Sequence, residues 1–165
     1  VMTYKMEEQK REKKLHIIYA VLAVIVTVAG AVLASITTNT RSDWYMSLVL
    51  SPIQPPPWVF GAVWTPLYIL LAISFALAVL SPKLHKSIVI GYILNIALNA
   101  LWSPVFFGLH NPIAAQIILF ALIINVVILM ISLQNVRKVC LYLLIPYLIW
   151  LCIASVLNIS VMILN

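Results

Sequence analysis

The sequence predicts an all-α, polytopic membrane protein built as a bundle of five transmembrane helices. Three observations predict it. No acidic residue follows Asp43, no Lys, Arg, Asp or Glu lies between Lys86 and Arg137, and 64% of residues are hydrophobic while 8% are charged. A soluble domain has about a quarter of its residues charged. A segment this long without charge is instead typical of a chain that lies in a lipid bilayer.

Five segments are long and apolar enough to cross a bilayer, whose core is about 30 Å thick and needs about 20 helical residues. Residues 1–14 mix Lys with Glu and are expected to form a solvated, cytoplasmic helical extension. Residues 15–165 form a single transmembrane domain in this interpretation. Its predicted spans are 15–36, 57–80, 88–107, 113–133 and 139–164.

The connections between the spans differ in length. Short segments with helix-stopping or charged residues separate the last four spans, at 81–83, 108–112 and 134–138. The first connection, residues 37–56, is longer, is rich in Thr, Ser and Pro, and runs into Pro55-Pro56-Pro57. We expect this segment to fold over the bundle as a lid, which its prolines stiffen by fixing φ.

The basic residues predict the orientation. Nine of the ten precede the first span or follow the second or fourth span, and Arg41 stands alone on the other side. The positive-inside rule then places the N-terminus in the cytoplasm and the lid and C-terminus outside. We expect a bacterial cell membrane in preference to a mitochondrial outer membrane. A cleaved signal peptide is the alternative interpretation of the first span, whose hydrophobic run exceeds the usual length of about 7 to 15 residues.

Three spans carry aromatic or amide side chains on one helical face, at intervals of three or four residues. Mid-membrane amides are costly when they face lipid, so Asn95 and Asn99 are expected to point inward, to a partner helix, water or a ligand. The three faces then line one pocket. The alternative is that the amides only join helices and the aromatic residues lie at the membrane interfaces. The positions are Phe60, Trp64 and Tyr68 in the second span, Asn95, Asn99, Trp102 and Phe106 in the third, and Tyr147, Trp150, Ala154 and Leu157 in the fifth.

Other residue patterns indicate packing. Cys140 and Cys152 lie in one span without His or acidic neighbours, so they are interpreted as buried thiols and not as metal ligands. No metal site and no required cofactor are expected. Small residues every four positions in the first span predict close helix packing. They are Ala23, Thr27, Ala31 and Ser35.

Four short motifs follow one another along residues 43–158. They are Asp43-Trp44-Tyr45; Pro55-Pro56 with Trp58-Val59-Phe60, Trp64, Leu67 and Tyr68; Ala97-Leu98-Asn99 with Trp102-Ser103-Pro104-Val105-Phe106-Phe107; and Pro146-Tyr147 with Trp150, Ala154, Leu157 and Asn158. In this order, on five spans, the sequence resembles the translocator protein family in its bacterial type. This family is also called the tryptophan-rich sensory protein or peripheral benzodiazepine receptor family.

The resemblance implies a five-helix bundle, commonly a homodimer, that binds porphyrins and other flat hydrophobic ligands beneath the first loop. Protoporphyrin IX or haem is then the expected ligand. The lid residues in this reading are Asp43, Trp44, Pro55 and Pro56. The implied pocket residues are Tyr45, Trp64, Tyr68, Asn95, Asn99, Trp102, Tyr147, Trp150 and Ala154, to which the helical periodicity adds Phe60.

The sequence departs from the family pattern at two places. Ile53 stands where the family often has an aromatic residue, which affects how the lid holds a ligand. After Asn158, sterol-binding relatives carry an aromatic and then a basic residue, whereas this chain has residues Ile159 to Met162. The second departure argues against sterol as a partner.

The leading hypothesis is a membrane receptor or binding protein for porphyrin-like ligands, acting in sensing, sequestration or transport. Arg41 or backbone N–H groups of the lid are candidates to meet a ligand carboxylate, and the pocket is expected to open on the lid side. The basic residues flank spans, so the net charge of +6 does not indicate a nucleic-acid partner.

Two alternatives stay open at this point. One is an enzyme that degrades protoporphyrin by photo-oxidation through Trp64 and Trp150, an activity that the resemblance implies. No nucleophile, acid–base pair or metal set in the sequence supports it. The other is a small membrane scaffold or a transporter of an unrelated solute, for which the absence of carboxylates in the spans argues against ion coupling.

Overall fold

The computed structural model describes the backbone of residues 2–165 and the side chains of residues 6–8 and 10–165. All regular elements of this part are helical, and five helices are long and apolar enough to cross a membrane. The predicted fold class is confirmed. The helices are α1 (Met2–Thr37), α2 (Asp43–Ser47), α3 (Pro57–Val79), α4 (Lys86–Ser103), which continues into a π-helical turn (Pro104–Gly108), α5 (Pro112–Leu133) and α6 (Lys138–Leu164).

The five long helices form a closed ring that does not follow the order of the chain. Helix α1 packs on α3, α3 on α6, α6 on α5, α5 on α4, and α4 returns to α1. Helix α6 therefore lies between α3 and α5, which brings the aromatic faces of α3 and α6 together. The outward faces carry many exposed Ile, Leu and Val side chains, as expected of helices surrounded by lipid.

From Met2 onward the N-terminal extension is helical, as expected, and α1 runs from it into the first span without a break. Its described side chains before Leu15 are exposed. Glu7 and Lys10 form an ion pair of 3.7 Å on the surface. Exposed pairs of this kind contribute little stability, so the extension is held by its continuity with α1 and not by ionic contacts.

Helix α1 approaches α4 closely. A methyl group added at Gly30 would overlap the side chain of Ile96, so only glycine fits at this crossing. Ala23 and Thr27 are also buried, at 4% and 0% exposure, which agrees with the close packing predicted from the small residues. The distance between α1 and the neighbouring helices is thus set by small residues at the contact.

The end of α4 turns the chain toward α5. The N–H of Leu109 donates to the carbonyl of Pro104 at 2.9 Å, which closes the π-helical turn. His110 then takes a φ of +52°, and the Asn111 side chain accepts from the N–H of Ala114 at 2.9 Å to cap α5. This tight reversal holds the aromatic residues of the π-helical turn beneath the lid.

The two cysteines differ in their surroundings. Cys140 is buried, as expected. Cys152 is exposed, so the expectation that it is a buried thiol was wrong. Its position on α6 turns the side chain away from the bundle, because α6 packs inward through the face that contains Trp150 and Ala154.

Candidate functional site

The lid, residues 37–56, contains a short helix that the sequence analysis missed. Helix α2 begins after Ser42, whose side chain accepts a hydrogen bond from the N–H of Tyr45 at 3.2 Å. Asp43 follows in the first turn, where a negative charge is favourable. The pair Ser42-Asp43 is a recognisable helix start, so this signal was present in the sequence.

Helix α2 is anchored to the π-helical turn by aromatic contacts. The ring centroids of Tyr45 and Phe107 lie 5.4 Å apart. Trp44 stacks on His110 at 4.4 Å and meets Phe106 edge-on at 5.4 Å. Trp44 therefore fastens the lid to the bundle from outside the cavity, while Tyr45 faces inward.

Hydrogen bonds fix the lid at two further points. At its start, the hydroxyls of Thr38 and Ser103 lie 2.7 Å apart and join the end of α1 to α4. Near its middle, Val49 exchanges two hydrogen bonds with the side chain of Asn165, at 2.9 and 3.1 Å. The lid is thus tied to both α4 and α6, across the mouth of the ring.

Tyr45 is the buried residue of the lid, at 5% exposure. Burial raises the pKa of the Tyr45 phenol, and the hydrogen bond from the Gln54 amide opposes this rise. That bond is long, at 3.4 Å. The phenol is therefore neutral at physiological pH and presents an uncharged surface to the space below.

A cavity of about 70 Å³ lies beneath the lid. Every long helix of the ring except α1 contributes side chains to it, and the lid closes it from above. The predicted pocket residues that line it are Tyr45, Phe60, Trp64, Asn99, Trp102 and Ala154. Its lining also includes Gln54 and Asn158, which were not among the predicted site residues. Asn158 lies four positions after Ala154, on the same face of α6, so the helical spacing already contained this signal.

A larger cleft of about 680 Å³ adjoins the cavity, between α1, α3 and α4. The two spaces share Phe60, Trp64, Asn99 and Trp102 as lining residues, and Tyr68 lines the cleft. Ala31 and Ser35 of α1 line this cleft. They are therefore not packed as closely against the neighbouring helices as Ala23 and Thr27 are. The larger space lies between helices at the side of the bundle, whereas the sequence analysis expected the pocket to open on the lid side.

Trp64 is the centre of the aromatic cluster. Its ring lies 5.6 Å from Tyr68, 6.2 Å from Tyr147 and 6.4 Å from Trp150, with the two indoles nearly perpendicular at 89°. Phe60 meets Trp150 edge-on at 6.2 Å. Tyr147 and Trp150 thus stand behind Trp64 and Phe60 and support them, and they do not line the cavity or the cleft.

A continuous chain of hydrogen bonds, here called the amide chain, crosses the middle of the bundle. It joins α3, α4, α6 and α5. Each member donates to the next: Tyr68 to Asn99 at 2.6 Å, Asn99 to Tyr147 at 2.7 Å, Tyr147 to Asn95 at 3.1 Å, Asn95 to Asn125 at 2.9 Å, and Asn125 to the carbonyl of Gly91 at 3.2 Å.

The amide chain places the two predicted mid-membrane amides in different roles. Asn95 is fully buried, and its amide is used in bonds to other helices. Asn99 is 4% exposed, takes part in the same chain and also borders the cavity. Both side chains point inward, as expected. Asn95 only joins helices, which is the alternative role considered for these amides.

Four buried side-chain atoms have no hydrogen-bond partner among the described residues. A buried polar atom without a partner costs about 1 to 3 kcal/mol, so such atoms are uncommon in folded proteins. All four belong to residues in the lid or on the faces that surround the cavity. They are Gln54 Oε1, Trp102 Nε1, Trp150 Nε1 and Asn158 Oδ1.

The other predicted lid residues lie outside the cavity. The side chains of Arg41 and Asp43 are exposed, and neither is among the residues that line the cavity. Pro56 caps the start of α3, with Pro55 half-buried before it. The prolines thus set the junction between the lid and α3, where a helix start tolerates the missing N–H.

The sequence of this chain is similar to those of known proteins. Residues 21–164 match the TspO/MBR family. The chain belongs to this family. The Tryptophan-rich protein TspO of Archaeoglobus fulgidus is 35% identical over 152 residues, which are 92% of this chain and 97% of that protein. Protein CrtK of Rhodobacter capsulatus is 34% identical over 151 residues, 90% and 92% of the two chains. The human Translocator protein is 32% identical over 119 residues, 70% of each chain.

The comparisons confirm the resemblance that the sequence motifs indicated. Together with the five apolar helices, they make this chain a multi-pass membrane protein of the TspO/MBR family, a family involved in sensing and binding. Its ring of five helices and its lid are the framework on which the function of this member depends.

Proposed function

We propose that this protein is a membrane receptor for porphyrin-like, flat hydrophobic ligands, with protoporphyrin IX or haem as the expected ligand, and that it acts in sensing, sequestration or transport. One observation carries the proposal: Trp64, Asn99 and Trp102 border both the cavity and the adjoining cleft. A large ligand that uses both spaces would contact all three residues at once.

The available volume supports a ligand of this size. The cavity alone, at about 70 Å³, is too small for a tetrapyrrole, but the cleft adds about 680 Å³. Pockets for small molecules and cofactors measure about 300 to 1,000 Å³. We therefore place the macrocycle in the cleft, against α3 and α4, with one edge reaching into the cavity under the lid.

The lining suits a flat aromatic system. Trp64 and Trp102 present indoles to both spaces, and each aromatic contact is worth about 0.5 to 1.5 kcal/mol beyond the area that it buries. The rings of Tyr147 and Trp150 support Trp64 and hold its indole in place before a ligand arrives. A site that is already ordered loses less entropy on binding.

We further propose that the lid faces the outside of a bacterial cell. Basic residues follow α3 and α5 or precede α4 and α6, at the ends of these helices that lie opposite the lid. The positive-inside rule assigns that end to the cytoplasm. The homodimer implied by the resemblance stays a prediction.

The test is a titration of the purified protein with protoporphyrin IX, followed by quenching of tryptophan emission. We expect Trp64→Ala to weaken binding about tenfold or more, because it removes aromatic contacts and buried area worth at least about 1.4 kcal/mol. The matched control is Trp58→Ala, because Trp58 is 73% exposed and outside both spaces. Equal affinities of the two variants would contradict the proposed site.

A further inference from the structure

The side chain of Asn158 is held in one orientation. Its Nδ2 group donates to Gln116 Oε1 and to the carbonyl of Pro112, each at 2.9 Å. Gln116 is fixed in turn, because its Nε2 donates to Ser155 Oγ at 2.5 Å. A flip of the Asn158 amide would break two bonds at once, so its Oδ1 is held as the free acceptor.

This acceptor is carried by a residue that lines the cavity. Asn158 is 3% exposed and lines the cavity, yet its Oδ1 has no partner among the described residues. Gln54 contributes a second unpaired acceptor from the lid, and Trp102 contributes an unpaired N–H donor from α4. Three residues that line the cavity therefore carry two unpaired acceptors and one unpaired donor.

The charge of the lining limits which ligand groups fit. The described residues that line the cavity include no Lys, Arg, Asp or Glu, and the nearby Arg41 is exposed outside it. A carboxylate has only acceptor oxygens, so it would face two amide oxygens without a cation, and burial of an unpaired charge is costly. A protonated carboxyl group has an O–H donor and a carbonyl acceptor, which match Asn158 Oδ1 and Trp102 Nε1.

We propose that the ligand's carboxyl group enters the cavity as the neutral acid and donates its O–H to Asn158 Oδ1. Gln116 is then a positioning residue that keeps this oxygen turned toward the ligand. The inference rests on the proposed function and names the chemistry of that site. It replaces the ion pair with Arg41 that the sequence analysis considered.

The surroundings contain few groups whose titration would compete with that of the ligand. From the lid, Tyr45 lines the cavity and Asp43 and Arg41 are exposed. From the loop before α5, His110 is exposed and stacks on Trp44 outside the cavity. Among the described residues, the faces of α3, α4, α5 and α6 that line the cavity carry no Asp, Glu, His, Lys, Arg, Cys or Tyr side chain.

The test compares protoporphyrin IX with its dimethyl ester, which cannot ionise and has no carboxyl O–H. For the wild-type protein, we expect the Kd of the acid to weaken as pH rises, by up to about tenfold per pH unit above the carboxyl pKa, because the bound state holds the proton. The Kd of the ester should not change with pH. Asn158→Leu should weaken acid binding about tenfold at low pH and leave the ester unaffected, which also shows that the variant is folded.

Three further variants make the test specific. Gln116→Leu removes one of the two hydrogen bonds that hold the Asn158 amide and should reduce the preference for acid over ester. Ser160→Ala, whose hydroxyl bonds to its own helix at Val156, should change nothing. His110→Asn keeps a residue that tolerates positive φ and should retain the full pH dependence.

The outcomes separate the two proposals. If neither acid nor ester binds, the proposed function is wrong. If both bind, the proposed function stands. The neutral-acid inference is then wrong in any of three cases: the affinity for the acid does not depend on pH, the acid binds more tightly when it is ionised, or the pH dependence is lost in His110→Asn. The same holds if Asn158→Leu weakens acid and ester equally. The pH dependence of the wild-type protein decides the question even if Asn158→Leu does not fold.

Discussion

The middle of the bundle and the region under the lid differ in whether their buried polar groups have hydrogen-bond partners. In the middle, the amide chain uses every link from Tyr68 to Gly91, and each donor has an acceptor. Under the lid, Gln54, Trp102 and Asn158 each have an atom without a hydrogen-bond partner in the part of the chain that the structure describes. Both regions are rich in amides and aromatic residues, so composition alone does not distinguish them.

The difference teaches which polar residues hold the fold and which are available to a ligand. In the core of a membrane, no water is available to hydrogen-bond a buried polar group. Amides therefore pair with one another and join helices. An atom that remains unpaired lowers stability unless something binds it. The amide chain is accordingly a scaffold, and the unpaired atoms under the lid are on residues of the proposed binding site.

The largest effect on stability is expected in the amide chain. Asn95→Ala would leave Tyr147 without its acceptor and Asn125 without its donor, so we expect a loss of about 2 kcal/mol in the free energy of unfolding. Unfolding in a detergent titration measures it. Asn135→Ala, in an exposed turn, is the matched control. Equal stabilities of the two variants would contradict the claim that the amide chain stabilises the fold.

A second cluster of paired hydrogen bonds lies at the end opposite the lid. We expect it to contribute to stability, as the amide chain does, and not to binding. The hydroxyl of Ser74 lies 2.5 Å from that of Tyr92 and donates to the carbonyl of Cys140 at 2.9 Å. Ser74→Ala is expected to cost about 1 kcal/mol without changing porphyrin affinity. The control is Ser132→Ala, whose hydroxyl is exposed. A change in affinity would show that this end contributes to binding.

Much of the site was predictable from spacing. The periodicity on α3 and α4 identified Phe60, Trp64, Asn99 and Trp102 as one inward surface, and the structure places all four around the same space. Periodicity reports which face a residue occupies but not its depth. Asn95, for this reason, was grouped with Asn99 although it lies behind the lining.

What sequence reasoning missed depends on contacts between distant segments. The position of α6 between α3 and α5 follows from packing of whole helices, and no local pattern encodes it. The same packing sets Gln116 of α5 against Asn158 of α6 at 2.9 Å. Asn158 was recognised within a motif, but its free acceptor becomes visible only when the partners of its other atoms are known.

The smallest effect is expected at Tyr45, which lies in the lid and lines the cavity from above. Its hydrogen bond from Gln54 is long, so Tyr45→Phe should change stability at neutral pH by less than about 0.5 kcal/mol. Because burial raises the pKa of Tyr45 in the folded protein, the wild type should lose stability as pH rises above about 10, where the unfolded phenol ionises. The variant should lose less over that range. Identical pH profiles would show that burial of this phenol has no consequence.

The contrast between satisfied and unsatisfied polar groups is tested most directly by two conservative substitutions measured in parallel. Tyr147→Phe removes a hydroxyl that both accepts and donates in the amide chain, whereas Trp102→Phe removes an N–H that has no acceptor in the described part of the chain. For each variant, the free energy of unfolding and the Kd of protoporphyrin IX are measured. We predict that Tyr147→Phe loses about 1 to 2 kcal/mol of stability with its Kd nearly unchanged, and that Trp102→Phe weakens binding several-fold with its stability nearly unchanged. The reverse pattern, or the same pattern in both variants, would contradict the account.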